Sequence, residues 1–222
     1  MPKFWFVRHG ESLAQLDQWD GPDSETPLSV EGERQASAMA EQLAALDIQR
    51  VLVSPFLRAR QTAERAMVEW GQAPLAVPDP IPAPISTEPE KGTGTSASLR
   101  SQSPFQIVDD LRERNSGDWL ANFRREQAIN DKMAIWDFVP PNGESIKQAT
   151  IRAIQALNEL ESDKHTAVFA HGRVLAGVLA LLDQRDLTDP IHALENCIIY
   201  PREVASGTWR ELLATQVPGD SR

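Results

Sequence analysis

The sequence predicts an α/β fold, a three-layer α/β/α sandwich around a mainly parallel central sheet. Three observations lead there. Short apolar segments closed by glycine, proline or charge alternate with longer segments whose apolar residues recur at helical spacing, the order that builds strand-helix-strand units. The 222 residues are enough for one substantial core but would leave two domains small, so a single domain over 1–215 is expected, followed by a polar tail over 216–222. A hydrophobic fraction of 41% and a charged fraction of 24% are ordinary for globular chains and unlike disordered, collagenous or coiled-coil sequences.

Taken in order, Phe4 to Val7 is apolar, rich in aromatic and β-branched residues, and ends at Arg8-His9-Gly10, so it reads as a buried strand feeding a loop. Ser29 is placed to cap a helix reaching Leu46, along which Val30, Ala36, Met39, Ala40, Leu43 and Leu46 recur at helical spacing. Val51 to Val53 is a second strand, and Ser54-Pro55 has the cap-then-proline order of a helix start, the helix running to about Trp70. Beyond it, Gln106 to Asp109 reads as a strand, Asn122 to Ile135 and Ser145 to Leu160 as helices, Ala167 to Ala170 as a strand and Val174 to Leu182 as a helix. The intervening Ala73 to Pro104 is rich in Pro, Ser and Thr without apolar periodicity. It reads as an excursion from the fold, either a solvated insertion of no function or a lid over the site.

Charge narrows the partners. With 22 Lys and Arg against 32 Asp and Glu, the net charge of −10 repels phosphate backbones and anionic lipid heads, so neither nucleic acid nor membrane is an expected partner. No run approaches the roughly 18 to 20 apolar residues that a membrane-spanning helix requires. Cys197, the one cysteine, precludes an intrachain disulfide and suits a reducing cytoplasm. An anionic substrate would have to be drawn by clustered local cations.

Such a cluster is legible at strand ends, where ligand sites form in open α/β sheets. Arg8-His9-Gly10-Glu11 follows the first strand, Ser54 to Thr62 follows the second and places Arg58 in the first turn of a helix, and Ala170-His171-Gly172 ends a third. A loop histidine taken alone is more often structural. Here three strand ends supply histidine and arginine together.

Arg8 to Glu11 reproduces the Arg-His-Gly-Glu signature of the histidine phosphatase superfamily, also called the phosphoglycerate mutase-like family. Thr26-Pro27-Leu28-Ser29, Gly32 and Gln35-Ala36 resemble that family's segment before the first long helix, and Ser54 to Thr62 resembles its second arginine motif. Leu111, Glu113, Gly117 and Trp119 are similar to its acidic loop, Gly143-Glu144-Ser145 to its later helix start, and Ala170 to Gly172 to its second histidine. The resemblance spans about residues 3 to 200 and implies that His9 is a nucleophile, that Arg8, Arg58 and His171 hold the phosphoryl group, and that Glu113 gives the leaving group its proton.

Elementary chemistry agrees with those roles. A phosphate dianion needs two or three fixed cations, and phosphoryl transfer asks of a protein mainly in-line positioning and charge neutralisation. Arg8, Arg58 and a protonated His171 would serve without Mg²⁺, so no metal and no cofactor are expected. Burial of Glu113 would raise its pKa toward neutral, and Asp110 and Asp118 are fallback acids. Gly10 allows close backbone approach, and Gln15, Gly172 and Arg173 are expected with it along the substrate. Gln15 stands where the family often has Asn, still able to donate. Arg173 replaces a smaller residue, either to meet a second anionic group or to pair with an acid.

His165 and His192 read as structural, and Trp119 as core or as a wall of the leaving-group pocket. Glu113-Arg114 echoes the mutase branch, yet Ile135 to Val139 lacks its arginine pair, so hydrolysis of a small phosphate ester is the expected reaction. Arg124 and Arg125 are the residues able to overturn that, and a binding module without catalysis is the remaining alternative. The oligomeric state is not legible.

Overall fold

The computed structural model describes residues 1–69, 105–120 and 126–216. The 73–104 stretch, Arg124 and Arg125, and the tail beyond residue 216 lie outside the described residues.

Among the described residues five strands make one sheet: β1 Lys3–Arg8, β2 Arg50–Val53, β3 Gln106–Ile107, β4 Thr166–Ala170 and β5 Ile199–Glu203, in the order β3-β2-β4-β1-β5. β4 is buried at all five positions, as a central parallel strand covered on both faces should be. It pairs in parallel with β1, Phe4 opposite Thr166 and Arg8 opposite Ala170, and with β2, Val53 opposite Phe169. The parallel register brings the carboxyl ends of β1, β2 and β4 to one side. β5 runs antiparallel along β1, making the sheet mixed.

Among the described residues six α-helices accompany the sheet: α1 Val30–Ala44, α2 Leu57–Glu69, α3 Gln127–Met133, α4 Ile146–Glu159, α5 Gly172–Leu182 and α6 Thr208–Gln216. Alternating strand residues divide between two apolar clusters, as the two-residue period of a strand requires. Val7, Val53, Ala167 and Phe169 pack with Ala36, Met39 and Leu43 of α1 and Ala59 and Ala63 of α2. Phe4, Phe6, Leu52 and Val168 pack with Ile146, Ile154 and Leu157 of α4, Leu175 and Val178 of α5, and Trp209 of α6. These are the three expected layers.

Ser29 caps α1, its hydroxyl accepting from Gly32 N at 3.0 Å, and Ser145 caps α4 in a reciprocal box with Gln148. Elsewhere the boundaries differ from expectation. Ser54-Pro55 does not open α2, which starts at Leu57. α5 begins at Gly172, two residues before the apolar run, because His171 is extended and the chain turns helical directly after it. The strand expected over Gln106 to Asp109 is two residues long and gives way to a 3-10 turn, Asp109–Leu111. The helix expected from Asn122 to Ile135 is described only as α3, Gln127–Met133. β5 carries Pro201, Arg202 and Glu203 and so lacks a strand pattern, but an edge strand tolerates proline. α6 follows it, anchored by the buried Trp209.

Candidate active site

His9 follows β1 and is 3% exposed. Its backbone is clamped on both sides, N–H to Ala170 O at 3.1 Å and C=O accepting from Asn196 Nδ2 at 2.7 Å. Nδ1 lies 2.7 Å from Gly10 O, which requires the proton on Nδ1 and leaves the lone pair on Nε2. Arg58 Nε donates to that nitrogen at 3.1 Å.

The glycine and glutamate of the signature serve packing. Gly10 N–H donates to Thr62 Oγ1 at 3.0 Å, and a Cβ at Gly10 would stand 2.5 Å from Gly32 O, so Gly10 is required by the first turn of α1. It is absent from the cavity lining, contrary to the expected substrate contact. Glu11 likewise accepts from Ser29 Oγ at 2.7 Å and receives nothing from the cavity, while its N–H donates to Gln35 Oε1 at 2.9 Å. Ser29, Gly32 and Gln35 thus belong with the signature because they lock it against α1.

Arg58 is 2% exposed. Its Nη1 donates to Asp23 O at 2.6 Å and its Nη2 to Asp23 Oδ2 at 3.2 Å, with Glu113 Oε2 4.0 Å away. Arg8 donates through Nη1 to Leu194 O, and Gly172 leaves room for it: a Cβ there would meet Arg8 Cδ and Nε at 3.0 Å.

His171 is wholly buried, its ring centroid 5.2 Å from that of His9. Ser54 Oγ lies 2.7 Å from His171 Nε2, which is the position Ser54 holds in place of a helix cap. Glu113 Oε2 lies 3.6 Å from His171 Nδ1. Burial first, then the fields of Arg58, His9, Arg8 and Arg152, push the His171 pKa well below its ordinary 6.5. His171 is therefore neutral in the free site, where the sequence reading had it protonated. Burial is the first obstacle to its charging, and the cations expected to act alongside it add to that obstacle.

Glu113, its side chain 24% exposed, leans over the pair from a loop with its own fastenings. Arg152 Nη1 donates to Asp110 O at 2.6 Å, and Arg152 Nη2 pairs with Glu144 at 3.0 Å. Glu144 Oε2 in turn accepts from Asn115 N at 3.0 Å. Gly117 adopts φ +55° where a Cβ would stand 2.0 Å from Pro141 O, so only glycine fits. The fallback acids face elsewhere: Asp110 pairs with Arg112 at 2.8 Å and Asp118 accepts from Asn142 Nδ2 at 3.0 Å, both exposed.

These groups border a cavity of about 380 Å³, which Gln15, Gly172 and Arg173 also line. Gln15 does not present its amide as expected. Its Nε2 donates to Asn196 Oδ1 at 3.2 Å and its Oε1 accepts from Ser12 N at 3.2 Å, so it supports the clamp on His9. Arg173 donates to Asn130 Oδ1. His192, read as structural, stands exposed on the cavity rim, whereas His165 stacks on Trp5 at 6.1 Å. Trp119 is half-buried and stacks on Phe138 at 5.2 Å, outside the lining.

Asp23, Asn130, Asn196 and Arg152 were missed, since each lies in a stretch with no motif and meets the site only through the fold. Donor atoms of His9, Glu113 and His171 fall within 4.8 Å of one another and could geometrically hold a metal ion. Arg58 opposes that, because its Nε–H is aimed at the His9 lone pair and its charge repels a cation.

A buried imidazole, convergent guanidiniums and a carboxylate at the ends of parallel strands suit an α/β enzyme of phosphoryl transfer. The chain belongs to the histidine phosphatase superfamily, whose branch 1 family model matches residues 4–79 and 92–216. The adenosylcobalamin/alpha-ribazole phosphatase of Escherichia coli is 26% identical over 202 residues, covering 86% of this chain and 82% of that protein. A 2,3-bisphosphoglycerate-dependent phosphoglycerate mutase of Protochlamydia amoebophila is 26% identical over 212 residues, 88% and 91% of the two chains. In structure, the chain is similar to a mycobacterial glucosyl-3-phosphoglycerate phosphatase with VO3, at TM-score 0.65 and 19% identity over 90% of each chain, a likeness of fold.

Proposed function

We propose that this chain is a metal-independent phosphomonoesterase that hydrolyses a small phosphorylated metabolite through a phosphohistidine on His9. The observation that carries the reading is the His9 ring, with Nδ1–H fixed on Gly10 O at 2.7 Å and Nε2 facing Arg58 beside Glu113. His9 Nε2 attacks phosphorus, Arg8 and Arg58 neutralise the equatorial oxygens, and the bond to the ester oxygen breaks as Glu113 hands that oxygen a proton. Water then attacks the phosphohistidine, losing its proton to the Glu113 carboxylate, and phosphate leaves. His171 donates to the bound phosphoryl group once the dianion offsets the surrounding cations.

Hydrolysis is preferred to mutase chemistry because Trp136 and its neighbours stand where the mutase pattern has an arginine pair, and Trp136 is buried in the core. No described helix is long and apolar enough to cross a membrane. Cytoplasmic residence is proposed on the lone cysteine, Cys197, whose buried thiol has a pKa pushed up to about 12 and is inert to oxidation by ordinary thiolate chemistry.

The test is trapping with a labelled phosphate ester in the presence of a chelator, quenched in SDS at mildly alkaline pH, because acid hydrolyses the P–N bond of phosphohistidine. Label should appear on His9, persist with chelator, and vanish with turnover in His9→Ala. Label on Ser12 or Ser54, or a loss of activity restored by added metal, would overturn the proposal.

A further inference from the structure

Glu113 reaches the cavity from a segment with little regular structure of its own. The 3-10 turn Asp109–Leu111 lies before it and the 3-10 turn Gly117–Trp119 after it, and Glu113 Oε1 accepts from the neighbouring Arg114 N at 2.9 Å. The carboxylate therefore goes where the backbone of its own loop goes. Small displacements of that backbone decide whether Oε2 meets the leaving oxygen of a bound ester.

One ion pair fixes the loop to α4. Arg152, its side chain 11% exposed, turns one edge of its guanidinium to the segment before the acid, Nη1 donating to Asp110 O at 2.6 Å and to Arg112 O at 3.3 Å. The other edge grips Glu144 as a fork, Nε to Oε1 at 3.2 Å and Nη2 to Oε2 at 3.0 Å. Glu144, directly before the α4 cap Ser145, ties the segment after the acid: its Oε2 accepts from Asn115 N at 3.0 Å, and its own N–H donates to Asn115 O at 2.8 Å. Residues 112 and 115 are thus held on either side of Glu113 by one helix, itself seated in the core through Ile146, Ala149 and Ala153. Neither Arg152 nor Glu144 borders the cavity. A planar guanidinium fixes direction as well as distance, which a lysine ammonium on the same partners would not.

We infer that Arg152 and Glu144 are positioning residues for proton transfer, holding Glu113 at the leaving-group oxygen without touching substrate. The inference rests on the phosphatase reading for Glu113 as the acid.

Steady-state kinetics of the full chain on an alkyl phosphate and on nitrophenyl phosphate test it. Arg152→Met should lower kcat for the alkyl ester by about ten- to a hundred-fold and for nitrophenyl phosphate by less than about three-fold, with KM little changed because Arg8 and Arg58 still hold the phosphoryl group. Arg152→Lys and Glu144→Gln, which each keep part of the hydrogen bonding, should show the same selective loss to a smaller degree, and they carry the test if Arg152→Met does not fold. Combined with Glu113→Gln, Arg152→Met should cost the alkyl ester less than about two-fold more, since the group it positions is already gone. Equal slowing of both substrates would overturn the inference, as would an unchanged alkyl rate or a loss as large in the Glu113→Gln background as in the wild type. The two ideas fail differently. A large Glu113→Gln effect without an Arg152→Met effect removes the positioning role alone, whereas unchanged alkyl turnover in Glu113→Gln removes the acid and the positioning role with it.

Discussion

At the scale of single residues, the proposed mechanism rests on protons assigned before substrate arrives. The Gly10 carbonyl accepts a hydrogen bond from His9 Nδ1–H, Asn196 fixes the backbone from which that ring hangs, and Arg58 donates to His9 Nε2. Of the three acids considered from sequence, Glu113 is the one in reach, since Asp110 and Asp118 are turned to the surface by Arg112 and Asn142. If Glu113 supplies the leaving-group proton, its importance should scale with the basicity of that group. Glu113→Gln is therefore expected to slow alkyl phosphates by about 10² to 10⁴ and nitrophenyl phosphate much less, because nitrophenolate leaves without help. Steady-state rates on the two substrates check this. Equal slowing with a pre-steady-state burst would place Glu113 in the hydrolysis of phosphohistidine alone, and unchanged alkyl rates would remove it from the mechanism.

At the scale of elements, the fold positions these residues by aligning the ends of β1, β2 and β4 and bracing the β1 end against α1. That brace is testable at Gly32, where a Cβ would stand 1.9 Å from Glu11 O and the backbone cannot yield. Gly32→Ala should destabilise the protein by roughly 1–3 kcal/mol, as overpacking of fixed backbone does, and should lower turnover because Glu11 is two residues from His9. An unfolding midpoint in urea equal to wild type would show that the contact does not matter. Much of this level was legible in sequence. Strands with uninterrupted apolar runs and helices with capping serines announce themselves locally, so β1, β2, β4, α1 and α4 were found near their true ends. β5 was not, because an edge strand with Pro201 and two charges is made by its partner β1 and carries no pattern of its own. The same distinction runs through the site: His9, Arg58 and His171 sit in contiguous motifs, whereas Asp23, Asn196 and Arg152 reach it across 35, 187 and 40 or more positions of chain.

At the scale of the whole molecule, the neutral His171 ties catalysis to stability. Its pKa in the folded chain lies well below 6.5 because burial and the surrounding guanidiniums disfavour the imidazolium, whereas in the unfolded chain it titrates near 6.5. Above that pH both states hold the neutral ring and the contribution to stability is complete. Below it the unfolded state binds a proton that the folded state refuses, so stability falls as pH falls, by on the order of 1 kcal/mol per pH unit, until the folded pKa is reached. Urea unfolding at pH 8, 7, 6 and 5 should show this slope in the wild type, and the difference from His171→Gln isolates it, since carboxylates titrating at the acid end are common to both. Inorganic phosphate should flatten the slope, because a dianion against Arg8 and Arg58 offsets the charges that keep His171 neutral and allows the ring to take up its proton. Phosphate at pH 6 is mostly the monoanion, so binding as the dianion sheds a proton that His171 takes up. Net proton exchange, read as a buffer-dependent heat in calorimetry, should be small in the wild type and a clear release in His171→Gln. A pH slope identical in wild type and His171→Gln would mean that His171 is not neutral in the free site, and the route by which it becomes a donor to the phosphoryl group would have to be rebuilt.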